Sequence, residues 1–393
     1  MKPLTGAYAE RTRHVVMLTQ WYSHQLHHGI ARYAREANWS LNASEVHVLT
    51  PELTPPVAAA IRHADGVIGL FSGHSAALDF IRRRRVPVVD LCKAMPKLRL
   101  PRVLLDNEGL GAAVAAHYLD RGFRQFAFCR PAYDNDWSDT ERIRGFRGAL
   151  QNRGFDCHLI EVPVHTHKDP IAWLAARLQA LPKPVAVMAR HDDFAVSLLD
   201  ACKAAGITVP YELALVGCDN DELVCNSARV PLSSIDSNVE EQAYQGGQLL
   251  DQLMGGARPP RRPIRVAHKG VVVRQSSDVL AIEHPGLERA IHRIWRNYAD
   301  PSLSVDGLAE EASMTRRGVD KACLKHLGRT VGAELQRIRL AKATELLSAA
   351  GVRPKVATVA RLCGYSSPTH FRDTFIRAKG CTPSRFWKDA HRV

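Results

Sequence analysis

From His14 to Gln275 the chain keeps switching between short apolar, β-branched runs and longer segments with helical spacing. HVVMLT (14–19), ADGVIGLF (64–71), VPVVDLC (86–92), RQFAFCR (124–130), FDCHLIEV (155–162), PVAVMAR (184–190), LALVGCD (213–219) and KGVVVRQ (269–275) read as strands. HQLHHGIARYAREAN (24–38), SAALDFIRRRR (75–85), GLGAAVAAHYLDRG (109–122), ERIRGFRGALQNRG (141–154), IAWLAARLQAL (171–181) and DFAVSLLDACKAAG (193–206) read as helices. In the first of these, Leu26, Ile30 and Tyr33 share one face, and a residue such as Gly122 closes a helix without a Cβ penalty. This alternation builds βα units on parallel sheets. The stretch is too long for one ordinary core, so two lobes meeting at a cleft are expected. The Gly/Pro-rich MGGARPPRRPIRV (254–266) reads as a surface loop inside that domain. Strand chemistry stops near SSDVLAIEHPG (276–286), where the linker is expected at 277–286.

After Leu287 the pattern turns wholly helical, and the charge changes with it. Residues 285–393 carry 20 Lys+Arg against 10 Asp+Glu, while the whole chain has 53 against 40. Most of the net charge of +13 therefore lies in the last quarter. A compact basic domain suits a polyanion, most often nucleic acid; a solvated basic face without a partner is the plainer alternative. Two similar units stand in this region, SVDGLAEEASMTRRGVDKACLKHLG (304–328) and KVATVARLCGYSSPTHFRDTFIRAKG (355–380). Each is a short helix, a tight turn and a second basic helix ended by Gly. Between them, VGAELQRIRLAKATELLSAAG (331–351) has two apolar edges, one of Val331, Leu335 and Ile338 and the other of Leu340, Ala343 and Leu347. A helix apolar on two sides can act as a spacer with a unit packed at each end.

The turn in the second unit is explained by its residues. Val356, Val359, Ala360 and Cys363 form one helical face, and Gly364 closes that helix. Ser367 suits an N-cap, and Pro368 suits the first helical position, where its missing N–H costs nothing. The next helix buries Phe371 and Phe375 and leaves Thr369, His370, Arg372 and Asp373 outside. This is helix-turn-helix geometry, in which early residues of the second helix meet base edges in the major groove. Arg suits guanine and Asp can accept from cytosine N4. A helical hairpin that merely packs is the alternative, and two such units in one basic domain weigh against it.

The C-terminal region, about 290–388, resembles the AraC-type transcription regulators. The matching residues are Ala360, Cys363-Gly364-Tyr365, Phe371, Phe375, Gly380 and the closing CTPSRFW (381–387), with LQRIRLAKATELL (335–347) like the family's linker helix. The resemblance implies two recognition helices, with Arg316, Arg317, Asp320 and Lys321 as DNA readers in the first and Thr369, His370, Arg372 and Asp373 in the second. Three positions depart from the pattern. Gly318 falls inside the first recognition helix, where Gly costs about 1 kcal/mol relative to Ala. Cys323 replaces a usual core aromatic, and Pro368 stands where a polar reader is common.

The N-terminal region resembles the LacI-type effector domain, a periplasmic-binding-protein fold with two α/β lobes. LLDNEGLGAAVAAHYLDRGFRQFAFC, ERIRGFRGAL and LALVGCDNDE followed by PLSSID carry that likeness. It implies an effector domain over 12–276, with one lobe at about 12–123 plus 236–255 and the other at about 124–235 plus 262–276. VVVRQSSDVLAIEHP, joining this domain to an AraC-type end, looks like the xylose operon regulators. The expected architecture is thus an α/β two-lobed periplasmic-binding-protein-like domain followed by an all-α domain (287–393) with two helix-turn-helix units.

Candidate effector contacts follow from the strand order, because ligands of α/β lobes collect beyond the C-terminal ends of strands. Those residues are Trp21 and Tyr22, Asp106, Asp192, and Asp219 with Asn220. Arg142 opens R-x-x-G-F, a family effector position, and Trp137 precedes it in a polar loop. Carboxylates and an arginine can bridge adjacent sugar hydroxyls while an aromatic face takes the C–H side. Capping, surface ion pairing and plain packing are the alternatives for each of these side chains. His24, His27 and His28 have metal-like spacing, but a solvated helix start is the favoured reading, and no metal or cofactor is expected.

The expected function is a sugar-responsive activator, with operator DNA and a pentose, xylose favoured, as partners. A homodimer is expected, and RNA polymerase is a further candidate partner. Nine cysteines without a CxxC pair, no apolar run long enough to span a membrane and no secretory pattern point to the cytoplasm. No G-x-S-x-G, P-loop or H-E-x-x-H occurs, so an enzyme is not expected. The competing readings are a regulator of some non-pentose ligand, a sugar-binding or transport component, a sugar-processing enzyme, and a constitutive DNA binder.

Overall fold

The computed structural model describes residues 12–19, 22–43, 53–71, 76–132, 137–163, 169–282, 284–348 and 354–390. The chain divides into two compact units. One runs to Tyr118 and from Arg124 to Val279; the other holds Leu119–Phe123 and everything from Leu280.

In the first unit the elements are β1 (Arg13–Leu18), α1 (His24–Glu36), β2 (Trp39–Asn42), α2 (Pro55–Arg62), β3 (Gly66–Gly69), α3 (Ala76–Arg84), β4 (Val88–Asp90), β5 (Val103–Leu105) and α4 (Asn107–Asp120). They continue with β6 (Gln125–Pro131), α5 (Trp137–Gln151), β7 (His158–Val162), α6 (Pro170–Gln179), β8 (Val185–Ala189), α7 (Asp192–Ala204), β9 (Leu213–Cys218) and α8 (Glu222–Ser227). The last are β10 (Ser233–Asp236), α9 (Val239–Met254), β11 (Ile264–Val266) and β12 (Gly270–Val272).

Two main sheets result. The first lobe has the order β2-β1-β3-β4 and the second β12-β10-β9-β8-β6-β7, with β11 paired to β5 in a small third sheet. All pairs are parallel except β10 with β12. Every residue of β8 and β9 is buried, as expected of central parallel strands covered on both faces. The first sheet likewise has a core on each side. Met17, Ile30, Ile68 and Leu250 fill one; Leu18, Ile61, Val67 and Ile81 fill the other.

Two boundaries differ from the expected lobes. Helix α4 lies on α5, in the second lobe, rather than with residues 12–106. A Cβ on Gly111 would stand 2.0 Å from the Arg142 carbonyl oxygen, and one on Gly145 would stand 1.9 Å from that of Glu108. Only a glycine at each position lets the two helices cross so closely. Tyr118 secures the far end by donating to the Val187 carbonyl at 2.5 Å. The end of the expected surface loop forms β11, which returns to the first lobe beside β5. At three residues inside a Gly/Pro-rich stretch, β11 carries too little periodicity to be read in advance.

The second unit continues with α10 (Pro285–Asn297), α11 (Val305–Glu311), α12 (Arg316–Leu327), α13 (Val331–Ser348), α14 (Val356–Leu362), α15 (Pro368–Lys379) and α16 (Pro383–Ala390). It has two cores. Val331 and Leu335 of α13 close one with Ile291, Leu308, Val319 and Cys323; Ala343 and Leu347 close the other with Val359, Phe371 and Phe375. The two apolar edges read in the sequence therefore face the two helix-turn-helix units. Gly364 is forced by both conformation and space, with φ at +74° and room so tight that a Cβ would sit 2.2 Å from the Tyr298 carbonyl oxygen. Buried Glu334 binds α13 together by accepting from Arg337 at 2.8 Å and from Arg329.

Candidate functional site

In the first unit the polar residues beyond the strand ends converge where the lobes meet. Arg142, on α5, is 6% exposed. Its Nε donates to Asn107 Oδ1 at 2.8 Å and its Nη1 to the Arg190 carbonyl. Asp139 lies one turn earlier on α5 and is fully buried. Its carboxylate stands 3.3 Å from Arg190 Nε and 3.9 Å from Arg142. Asp219 faces Arg142 from the opposite side at 3.9 Å and accepts from Ser237 Oγ at 2.7 Å.

The turn after β9 is held in an unusual shape. Asp219 and Asn220 take φ of +97° and +51°, where side chains other than Gly are uncommon. Several bonds hold that conformation. The Asp219 N–H donates to Ile235 O at 3.0 Å, and the Asn220 N–H to Ser234 Oγ at 3.0 Å. From α1 in the first lobe, Gln25 Nε2 donates to the carbonyls of both residues, at 3.2 and 3.1 Å. The Asp221 N–H donates to the carboxylate of Asp192 at 2.8 Å. Asp192 is 3% exposed at the start of α7. Burial pushes it up to about 7, with the Asp219 carboxylate adding to the shift. Burial, with Arg190 adding, holds His191 below the usual imidazole range. That agrees with its Nδ1 accepting from the Phe194 N–H.

Asp106 caps α4, its Oδ1 accepting from the Gly109 N–H at 3.2 Å. Trp137 opens α5 and packs, half-buried, against the core of the first lobe. Tyr22 is 51% exposed and its hydroxyl lies 3.2 Å from His27 Nδ1. Trp21 lies outside the described residues. The three histidines of α1 turn to three different partners: His24 to Asp221, His27 to Tyr22 and His28 to Glu240. Asn107, Asp139, Arg190 and Gln25 belong to the constellation and were missed. A sequence signal existed for two of them, since Asn107 follows Asp106 after a strand and Arg190 ends PVAVMAR.

In the second unit the recognition helices present mostly solvated charge. Arg316, Arg317 and Lys321 of α12 are exposed, as are Thr369, His370, Arg372 and Asp373 of α15. Ser367 caps α15 by accepting from the His370 N–H, and Thr315 caps α12 through the Gly318 N–H. Gly318 thus stands in the first turn of α12, and the helix-interior cost expected for it does not apply there. Asp320 stands apart from the other expected readers. Its Oδ1 accepts from the Val331 N–H at 3.0 Å, so it holds the start of α13 in the free protein. Leu324, 51% exposed on α12, lies one turn beyond Lys321 and was not foreseen. An exposed apolar side chain there can meet a thymine methyl.

Comparison with known proteins covers both units. A family profile described as a periplasmic binding protein-like domain matches residues 115–277, and one described as a helix-turn-helix domain matches 308–389. The xylose operon regulatory protein of Escherichia coli is 28% identical over 289 residues, covering 72% of this chain and 73% of that protein. Its counterpart in Haemophilus influenzae is 25% identical over 380 residues, covering 93% and 95%. The solved structure of a xylose-binding transcription activator has the same fold, with a TM-score of 0.59, 24% identity and coverage of 97% of this chain and 99% of that one. With both domains matched in order along one chain, the protein is a homologue of the xylose operon regulatory proteins, a periplasmic-binding-protein-like domain joined to an AraC-type helix-turn-helix domain.

Proposed function

We propose that the chain is a cytoplasmic transcription regulator whose inter-lobe site takes a neutral sugar, a pentose with xylose first, and whose two helix-turn-helix units take operator DNA. The observation that carries this reading is the pairing, in one chain, of a buried Arg–Asp constellation between lobes with two solvated basic recognition helices. In this reading Arg142, Asp219, Asn220 and Asp106 exchange hydrogen bonds with adjacent sugar hydroxyls. Tyr22 and Trp137 supply aromatic faces. The cations of the site already have carboxylate neighbours, Arg190 with Asp139 and Arg142 with Asp139 and Asp219. An uncharged ligand leaves that balance intact, whereas a phosphate or sugar acid would compete with it.

Regulation follows if the sugar binds one arrangement of the lobes more tightly than the other, because a ligand shifts an equilibrium only by its differential affinity. The protein acts as a homodimer and activates through RNA polymerase. No catalysis enters this reading; the relatives named above are regulators.

Thermal unfolding of the full chain against a panel of pentoses, hexoses and sugar acids tests the first half. A ligand at a hundredfold excess over Kd stabilises the native state by about 2.7 kcal/mol. D-xylose is expected to raise the sensor transition, and Arg142→Lys to remove most of the rise, since an ammonium cannot reproduce the planar fork. No shift with any member of the panel sinks the sugar reading. DNA footprinting with and without D-xylose tests the second half, and unchanged occupancy sinks it.

A further inference from the structure

Asp192 was read as a candidate effector residue, and its carboxylate is engaged by the backbone beside that site. Its carboxylate is buried between α7 and the segment that follows β9. A Cβ on Gly217 of β9 would stand 2.1 Å from its Oδ1, so the strand passes close against it. Its Oδ2 accepts from the Asp221 N–H at 2.8 Å. Asp221 in turn caps α8, accepting from the N–H groups of Leu223 and Val224 at 3.0 and 3.2 Å. Immediately before it stand Asp219 and Asn220, both with left-handed backbone, whose carbonyls receive Gln25 from the other lobe. The carboxylate therefore ties down the third residue of a strained turn whose first two residues make the contact across the lobes. Left-handed conformations of non-glycine residues persist only where surrounding structure over-determines them.

We propose that Asp192 is a positioning residue for the effector site: through the Asp221 N–H it holds the Asp219–Asn220 turn in the conformation that Gln25 meets, and its protonation sets how firmly that turn is held. The consequence for affinity rests on the effector reading given above; the effect on the turn does not.

Titratable and polar groups face this carboxylate from several elements. Asp219 and Asp221 come from the turn, Cys225 from α8 and Ser234 from β10, while His191 and Asp193 flank it on its own segment. Arg142 faces Asp219, at 3.9 Å. Burial together with the neighbouring Asp219 carboxylate places the titration at about 7, within the range a cell visits. An ionised carboxylate is the stronger acceptor for the Asp221 N–H. The anchor is therefore firm above neutrality and slackens as pH falls below it.

The test is amide hydrogen exchange of the segment 219–224 in the full, ligand-free chain, corrected for intrinsic rates, from about pH 6 to about pH 8. Protection in the wild-type chain is expected to rise on the order of tenfold across that range, the worth of one charge-assisted hydrogen bond. Asp192→Asn keeps an acceptor oxygen without a titrating proton, so its protection stays flat. Protection in remote β8 reports whether the variant is folded. A flat wild-type profile, or an unchanged slope in Asp192→Asn, overturns the proposal. The paired measurement is D-xylose affinity at both pH values. Affinity that follows the exchange profile in wild type and loses its pH dependence in Asp192→Asn supports the full chain of coupling. A titrating turn with no D-xylose binding at all defeats the choice of ligand and leaves Asp192 in its role. Binding of D-xylose with a turn that does not titrate defeats the role of Asp192 alone.

Discussion

Arg142 and Arg372 carry the same guanidinium into opposite surroundings. The first is buried, bonded to Asn107 and the Arg190 carbonyl, with carboxylates of Asp139 and Asp219 on either side. The second is exposed on α15, with Asp373 at 3.9 Å as a loose neighbour. In the first unit the charges are already balanced among themselves, so the proposed sugar would be selected by hydrogen-bond geometry. In the second unit charge is left in solvent, ready to displace counterions from a polyanion. Substitutions in the two regions should therefore fail in different ways, the cleft through stability and the recognition helices through salt-dependent affinity.

The largest effect is expected at Asp139. Replacing it by Ala leaves the buried guanidinium groups of Arg142 and Arg190 without its charge, and breaking a buried pair costs roughly 3–5 kcal/mol. Denaturant unfolding of the sensor transition checks it, with Asp139→Asn expected to lose less. A loss under about 1 kcal/mol would mean that solvent reaches this site, and the contrast with α15 would weaken.

Glu334 is the point where the second unit resembles the first. Burial alone would raise its carboxyl, but Arg337 and Arg329 outweigh burial and hold it below the usual glutamate range. A carboxylate held low in the native state stabilises it above the ordinary value of 4.5, and that share is lost as pH falls through the lower native value. Glu334→Gln should cost roughly 3 kcal/mol near neutrality and should flatten the acid limb of the unfolding curve. An acid limb identical to wild type would show that other carboxylates govern it.

How much of this contrast could be read in advance depended on how far apart its partners lie along the chain. The two edges of α13 were legible because Val331 and Leu335, and Ala343 and Leu347, repeat at helical spacing within one helix. Phe371 and Phe375 were legible for the same reason, as was the cap at Ser367. The alternation of strands and helices fixed the parallel sheets. What escaped was pairing across long separations. Gln25 meets Asp219 across 194 residues and Arg142 meets Asn107 across 35, and no local pattern encodes either contact. The place of α4 depended on Gly111 meeting Gly145, two residues that read singly as helix weakeners rather than as a crossing. Asp192 was read as a ligand contact from its position after a strand; its bond to the Asp221 N–H emerges only when β9 is laid beside α7.

On the recognition helices the expected effects are smaller and should separate by kind. Arg372→Ala should cost about 1–3 kcal/mol on the preferred operator and relax the choice of base there. Lys321→Ala should weaken binding evenly across sequences and reduce the slope of log affinity against log salt by about 1. Titrations of operator and scrambled duplexes at several salt concentrations distinguish the two outcomes. If both variants behaved like Lys321→Ala, α15 would be a phosphate contact and the sequence reader would lie elsewhere.

The smallest effect sharpens the comparison most, because it concerns a charged residue that lies on a recognition helix yet behaves like one in the cleft. Asp320 belongs to α12, but its Oδ1 is bonded to the Val331 N–H, the first amide of α13. Removing an acceptor at a helix start typically costs about 1 kcal/mol. Asp320→Ala should therefore lower the stability of the second unit by about that amount while leaving base preference unchanged. Asp320→Asn, which keeps an acceptor oxygen, should recover most of the loss. Were Asp320→Ala instead to alter base preference at full stability, the Val331 bond would have to yield on DNA. Asp320 would then join Arg372 as a reader, and exposure in the free protein would cease to distinguish the residues that read from those that hold.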